Sequence, residues 1–245
     1  SFYLVNKTDN LYFTLLGDVK SGSEKETDYD KEVSEYGKKY ADSLNKKYKK
    51  DLFYFIYRKR LWNNKENTYL GYERKRGALS QFNKILLGKY VDEAKYFNVN
   101  MLHNNKLKIK YVITLDADTK LVLNSALNLV GAMAHPLNRP VLNGNETKVV
   151  RGYGIMQPRV GLDIEATNRS LYSQIFAGIG GFDTYSALVP NVYQDSFGEG
   201  SFVGKGIYDV EVFEKVLGET FPDNLILSHD LLEGNYLKCA YVSER

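Results

Sequence analysis

Apolar residues along this chain fall alternately into short continuous runs and into longer stretches that repeat every three to four positions. The short runs predict strands at Tyr12–Leu16, Leu52–Tyr57, Tyr111–Leu115, Val149–Ile155 and Ser201–Val203. The longer stretches predict helices at Asp30–Lys49, Gly77–Leu87, Leu123–Ala134, Ile164–Phe176 and Tyr208–Val216. Strands alternating with helices are the signature of βαβ units, so the expected class is α/β, with a mostly parallel twisted sheet flanked by helices. No internal repeat and no long Pro/Ser/Gly linker interrupts the pattern, and residues 1–245 read as one domain. The chain opens directly on apolar Phe2-Tyr3-Leu4-Val5 and stops just after the apolar Tyr236–Val242 stretch, which reads as a piece of something longer.

Composition narrows this picture. With 43% hydrophobic, 26% charged and 13% aromatic residues, the chain is neither disordered nor fibrous. Its single cysteine, Cys239, excludes an internal disulfide framework and points to a reducing compartment. No apolar run approaches the roughly 18 residues of a membrane span. Thirty-three Lys plus Arg against 30 Asp plus Glu leave +3, but the charge is uneven. Between Lys38 and Arg60 nine basic residues face only Asp42 and Asp51, a local +7. One reading is a surface for a polyanion or an anionic lipid; the other is a solvated helix face opposite Tyr40, Leu44 and Tyr48, which recur at i, i+4 and i+8.

Four stretches carry candidate chemistry. In Tyr111–Thr119 a β-branched run ends in Asp116-Ala117-Asp118, at the carboxyl end of a strand, where open α/β sheets bind ligands. Two carboxylates two positions apart point the same way in an extended chain, and they suit a hard cation such as Mg²⁺ or Mn²⁺; an ordinary turn has the same spelling. In Leu225–Gly234 a second apolar run meets Asp230, with Ser228 available as N-cap and Leu231-Leu232 opening a helix. Asp230 is there a cap or a general base, and His229 a positioning residue or a ligand. In Phe197–Asp209 the pair Gly204-Lys205 invites a phosphate-loop reading that fails, because Glu199 stands at the first glycine position and Gly206 at the hydroxyl position. Close backbone approach explains these glycines better. Finally, Arg74-Lys75-Arg76 precede a helix whose positive N-terminal end suits a pyrophosphate, or form a surface turn.

Glu73-Arg74-Lys75-Arg76-Gly77, Thr114–Thr119, Arg151–Val160, Phe197-Gly198-Glu199-Gly200 and Ser228–Gly234 together resemble the glycosyltransferase domain of cyclic β-1,2-glucan synthases, in the right order and across nearly the whole chain. The resemblance implies a Rossmann-like, A-type nucleotide-sugar transferase fold whose first strand precedes Ser1. It implies UDP-glucose as donor, Mg²⁺ or Mn²⁺, inversion at the anomeric carbon, and a growing β-1,2-glucan chain as acceptor. It also implies a domain of a much larger polypeptide, on the cytoplasmic face of the bacterial inner membrane. Matched residue by residue, Asp116 and Asp118 are the nucleotide and metal carboxylates, and Asp18 contacts the uracil. Lys75 and Arg76 stand near the donor phosphates, and Asp230 is the base. His229 stands where related enzymes often have Glu, and the Gln-x-x-Arg-Trp acceptor motif of related processive enzymes is not found before Arg245. The rival reading is a nucleotide-sugar or carbohydrate-binding module without turnover. A nucleic-acid partner is not expected, since no recognised module accompanies the basic segment.

Overall fold

The computed structural model describes residues 2–99, 107–160, 170, 192–223, 225–226 and 228–242. Apart from Ser170, the predicted helix Ile164–Phe176 lies outside the described residues, as does the glycine-rich stretch 177–182. The chain forms two compact units, Ser1–Lys110 with Gly218–Leu227 and Tyr111–Leu217 with Ser228–Arg245. It is mixed α/β, and no described helix is long and apolar enough to cross a membrane.

The first unit contains α1 (Phe2–Val5), β1 (Phe13–Gly17), α2 (Asp28–Tyr48), β2 (Phe53–Arg58), β3 (Leu61–Asn63), β4 (Thr68–Leu70), α3 (Arg74–Leu86) and β5 (Tyr96–Val99). Its sheet has the order β1-β2-β5, with β1 parallel to β2 and β5 antiparallel to it, while β3 and β4 form a hairpin. Helix α2 starts on a capping box in which Thr27 Oγ1 accepts from the Asp30 amide and the Asp30 carboxylate accepts from the Thr27 amide at 2.8 Å. Its buried residues are Asp30, Ser34 and Ala41, whereas Tyr40 is exposed and stacks on Tyr36. Of the expected stripe, Leu44 and Tyr48 are half-buried, Tyr48 packing on Tyr3 and Phe53, and only Tyr40 turns outward, because α2 crosses the Phe55 ring at Gly37. A Cβ there would sit 2.3 Å from the ring. Val19, Ala41, Phe55 and Tyr57 form the local core, with Val33 and Phe97 against it.

The basic segment does not form a single patch. Arg58 and Arg60 are buried and paired with Asp18 and Asp30, while Lys50 pairs with Asp9 and Lys59 with Glu26.

The second unit contains β6 (Tyr111–Thr114), α4 (Ser125–Ala134), β7 (Val141–Leu142), β8 (Val149–Arg151), β9 (Ile155–Pro158), α5 (Val192–Phe197), β10 (Gly206–Asp209), α6 (Val210–Leu217), α7 (Asp230–Leu237) and β11 (Cys239–Val242). The main sheet runs β11-β9-β10-β6. Leu129 and Met133 of α4 pack on Met156, Ile207 and Ala240 of that sheet.

Among the described strands, β1/β2 and β9/β11 run parallel and the other pairs antiparallel. The expectation of a mostly parallel sheet is corrected to a mixed one. Strands buried on both faces, such as β10, read as continuous apolar runs whichever way their neighbours point. Two boundaries also move. The expected strand Val149–Ile155 divides into β8 and β9 at Gly152, whose φ of +69° brings the backbone against the Arg139 carbonyl. Ser201–Val203 is not a strand; the strand is Gly206–Asp209, and the Asp209 carboxylate accepts from the Val212 amide at 3.1 Å to open α6.

Candidate active site

In the second unit, strand register does the assembling. Thr114, the last residue of β6, stands opposite Gly206, the first of β10, so the segment after one strand meets the segment before the other. There the Lys205 ammonium lies 2.9 Å from Asp116 Oδ2. The chain turns at once, with the Thr119 amide donating to the Asp116 carbonyl at 3.0 Å, so the two carboxylates do not share an extended segment as expected. Asp116 is half-buried against Lys205; Asp118 is exposed, and its Oδ1 accepts from the Thr119 hydroxyl at 3.4 Å. Two carboxylates, a hydroxyl and turn carbonyls are hard oxygen donors, a set that fits Mg²⁺ or Mn²⁺.

Asp230 approaches the same loop one residue earlier, at Gly204. Gly204 has φ +82°, and a Cβ on it would lie 2.7 Å from Asp230 Oδ2. Of the four glycines in the Phe197–Gly206 segment, Gly204 serves close approach to Asp230, Gly206 to the Met156 carbonyl and Gly200 to the Tyr241 amide, whereas Gly198 has open space around it and a φ of +67°. Asp230 begins α7 as expected, but its N-cap is His229 and not Ser228. The preceding residues 225–226 are not a strand, and Leu225 and Leu231 are exposed, so the helix is held by Glu233, Gly234 and Leu237 instead. His229 is buried, with Nδ1 2.8 Å from Glu233 Oε1 and 3.6 Å from Asp230 Oδ1. These three side chains bring ligand-type atoms within 4.8 Å of one another. The pairing of His229 with Glu233 was not read from the sequence, although their i, i+4 spacing at a helix start is a signal that finds such a pair; the approach of Lys205 to Asp116 has no such signal, because it depends on register between segments some 90 positions apart in the chain.

Of the aromatic residues near this loop, Tyr208 is buried and packs on Phe213 with ring centroids 4.4 Å apart, so it is a core residue and not a sugar platform. Phe197 is exposed, and the Tyr153 hydroxyl donates to the Gly198 carbonyl at 3.3 Å.

The remaining candidates, Asp18, Lys75 and Arg76, belong to the first unit. Asp18 comes just after β1 and pairs with buried Arg58, while accepting from the Val19 amide at 3.1 Å. Arg58 is a hub, also donating to the carbonyls of Tyr72 and Arg74 at 2.9 Å and to Gln81 Oε1 at 3.1 Å. It thereby clamps the start of α3, where Glu73 and Arg74 both adopt left-handed backbone, at φ 50° and 49°. The helix starts at Arg74, so the basic cluster forms its first turn and does not precede it. The three cations diverge. Arg74 pairs with Glu66 at 2.8 Å, Lys75 is exposed, and Arg76 pairs with Glu73 at 2.5 Å and lies 6.0 Å from the Phe221 ring centroid. Arg76 lines a cavity of about 650 Å³ with Tyr72, Lys84, Lys95, Phe221 and Asp223. Burial, then the hydrogen bond to Asp223, pushes the Tyr72 hydroxyl up to about 12.

No family model matches the chain. The cyclic β-(1,2)-glucan synthase NdvB of Rhizobium meliloti (strain 1021) is 41% identical to it over 246 residues, which cover 99% of this chain. The chain spans 8% of that relative's length. Identity at this level over nearly the whole chain makes the chain a member of the cyclic β-(1,2)-glucan synthase family.

Proposed function

We propose that this chain is the glucosyltransferase portion of such a synthase, with an A-type fold, moving glucose from UDP-glucose to a growing β-1,2-glucan chain with inversion. The observation that carries this reading is that one short loop meets both carboxylates, Lys205 through its ammonium at Asp116 and Gly204 through its backbone at Asp230. Asp230 takes the proton from an acceptor hydroxyl as its oxygen bonds to the anomeric carbon and the bond from that carbon to UDP breaks. The leaving diphosphate gains negative charge, which Lys205 is placed to offset. Asp116 and Asp118 would hold Mg²⁺ or Mn²⁺, and the bound cation supplies further positive charge to the diphosphate. The assignment of Asp18 to the uracil, and of Lys75 and Arg76 to the phosphates, rests on the family resemblance.

Calorimetry of UDP and UDP-glucose, with and without Mn²⁺, tests donor class and metal together. Binding that strengthens with Mn²⁺ and loses that gain in Asp118→Ala is the expected result. Equal affinities for parent and variant in Mn²⁺ would remove Asp118 from the metal role. UDP binding with no glucose release or transfer would favour a binding module.

A further inference from the structure

We propose that Lys205 is a resident counter-cation for the carboxylates: it holds Asp116 in the ligand-free protein and moves to the nucleotide diphosphate when a divalent cation enters. The inference rests on reading Asp116 and Asp118 as the donor-site carboxylates.

Three observations support it. The Lys205 ammonium is 2.9 Å from Asp116 Oδ2, and the two side chains are only 25% and 36% exposed. This is not a surface lysine finding a chance partner, because its backbone is pinned on both sides. Gly204 holds a left-handed φ of +82° against the Asp230 carboxylate, and a Cβ on Gly206 would stand 2.1 Å from the Met156 carbonyl oxygen. Neither neighbour of Lys205 therefore accepts a side chain without displacing Asp230 or β9. Finally, the register of β10 with β6 aims this pinned residue at the segment after Thr114. The Gly204-Lys205 pair, which fails as a phosphate loop, thus acquires a role that needs no hydroxyl at position 206.

The consequence is a coupling between two ligands. A divalent cation alone must compete with an ammonium already beside Asp116, so its affinity is held down. A diphosphate arriving with it gives Lys205 a new anion to pair with, so the competition is relieved. Metal and nucleotide then bind more tightly together than either does alone.

The test is calorimetric titration of Mn²⁺ in the absence and presence of UDP, on the parent chain, Lys205→Met, Lys205→Gln, Lys205→Arg and Lys205→Met/Asp116→Asn, with thermal melts confirming that each is folded. Lys205→Met and Lys205→Gln should bind Mn²⁺ alone about twofold to fivefold more tightly than the parent, the scale of a partly exposed ion pair. In both, the tightening of Mn²⁺ binding produced by UDP should shrink by at least that same factor, the direct attraction between cation and diphosphate remaining. Lys205→Arg should behave like the parent, and Asp116→Asn should cancel the gain. Unchanged or weaker Mn²⁺ binding by either neutral variant overturns the proposal. If Mn²⁺ behaves as stated and UDP binds to none of the proteins, the donor assignment fails while the Lys205–Asp116 relation stands. If the parent binds UDP with Mn²⁺ and the neutral variants match it for Mn²⁺ alone, Lys205 fails and the donor assignment stands.

Discussion

Arg58 and Arg60 leave the end of β2 two positions apart; both are buried, Arg58 pairing with Asp18 at the surface and Arg60 with the buried Asp30. Asp30 is 1% exposed; burial alone would raise its pKa, but hydrogen bonds from Arg60 and Thr27 outweigh that and hold it below the usual 3.8. A carboxyl with a depressed folded pKa stabilises the fold above its unfolded value and loses that contribution as pH falls through the folded value. Asp30→Asn should therefore destabilise the protein by about 3 kcal/mol at neutral pH, because Arg60 stays buried without its counter-charge. The loss should shrink below about pH 3.8, where the parent's own pair is being protonated. Urea unfolding across that range checks both the size and the sign. A second substitution isolates chemistry from architecture at Asp230. Asn keeps the shape against Gly204 and cannot accept the acceptor proton, so Asp230→Asn should leave UDP-glucose affinity within a few-fold while cutting glucosyl transfer by about 10²–10⁴. Near-normal transfer would remove Asp230 from the mechanism.

Helix α2 shows how an element obeys its partner as well as its own periodicity. Residues 28–48 are helical much as the pattern predicts, and Thr27 with Asp30 caps the start. Leu44 and Tyr48 face the interior as their spacing predicts, but Tyr40 does not, although a large apolar Tyr outranks Gly37 in any reading of hydrophobicity. In the fold, the bulky group at the crossing is Phe55, and the helix offers it the smallest residue available. Gly37→Ala should then run against helix propensity. The gain of about 1 kcal/mol from replacing a mid-helix glycine is exceeded by overpacking against Phe55, for a net loss of about 1–2 kcal/mol in denaturant titration. A stabilised variant would mean that the α2–β2 approach is looser than described. The β10–α6 junction illustrates the complementary case. Tyr208 reads as helical because its apolar neighbours continue into Val210–Leu217, yet the sheet claims it and Asp209 caps α6.

The chain carries one tryptophan and one cysteine, and the structure puts Trp62 in the first unit and Cys239 in the second. Cys239 is fully buried, and burial pushes its thiol up to about 12, so the thiolate that reacts is scarce at neutral pH. A thiol reagent should modify the folded protein more slowly than the urea-unfolded chain by about 10² or more, at a rate set by opening of the second unit. Trp62, about half exposed, reports independently on the first unit. Reaction as fast as that of the unfolded chain would show that β11 does not hold Cys239 as described.

Element type was legible along most of the described chain, because burial imposes periods of two and 3.6 on the residues themselves. β1, β2, β6, α2 and α4 lie within a few residues of their predicted places. Asp116, Asp118 and Asp230 were readable as candidates because a carboxylate ending an apolar run stands out locally, and family membership was readable because several such motifs occur in order. Strand direction was not, since an apolar run buried on both faces carries no arrow. Nor were the Arg58–Asp18 pair, the buried Arg60–Asp30 pair or the Lys205–Asp116 contact. Those depend on register and packing between segments distant in the chain, where the identity of a partner is set by geometry that no local pattern encodes.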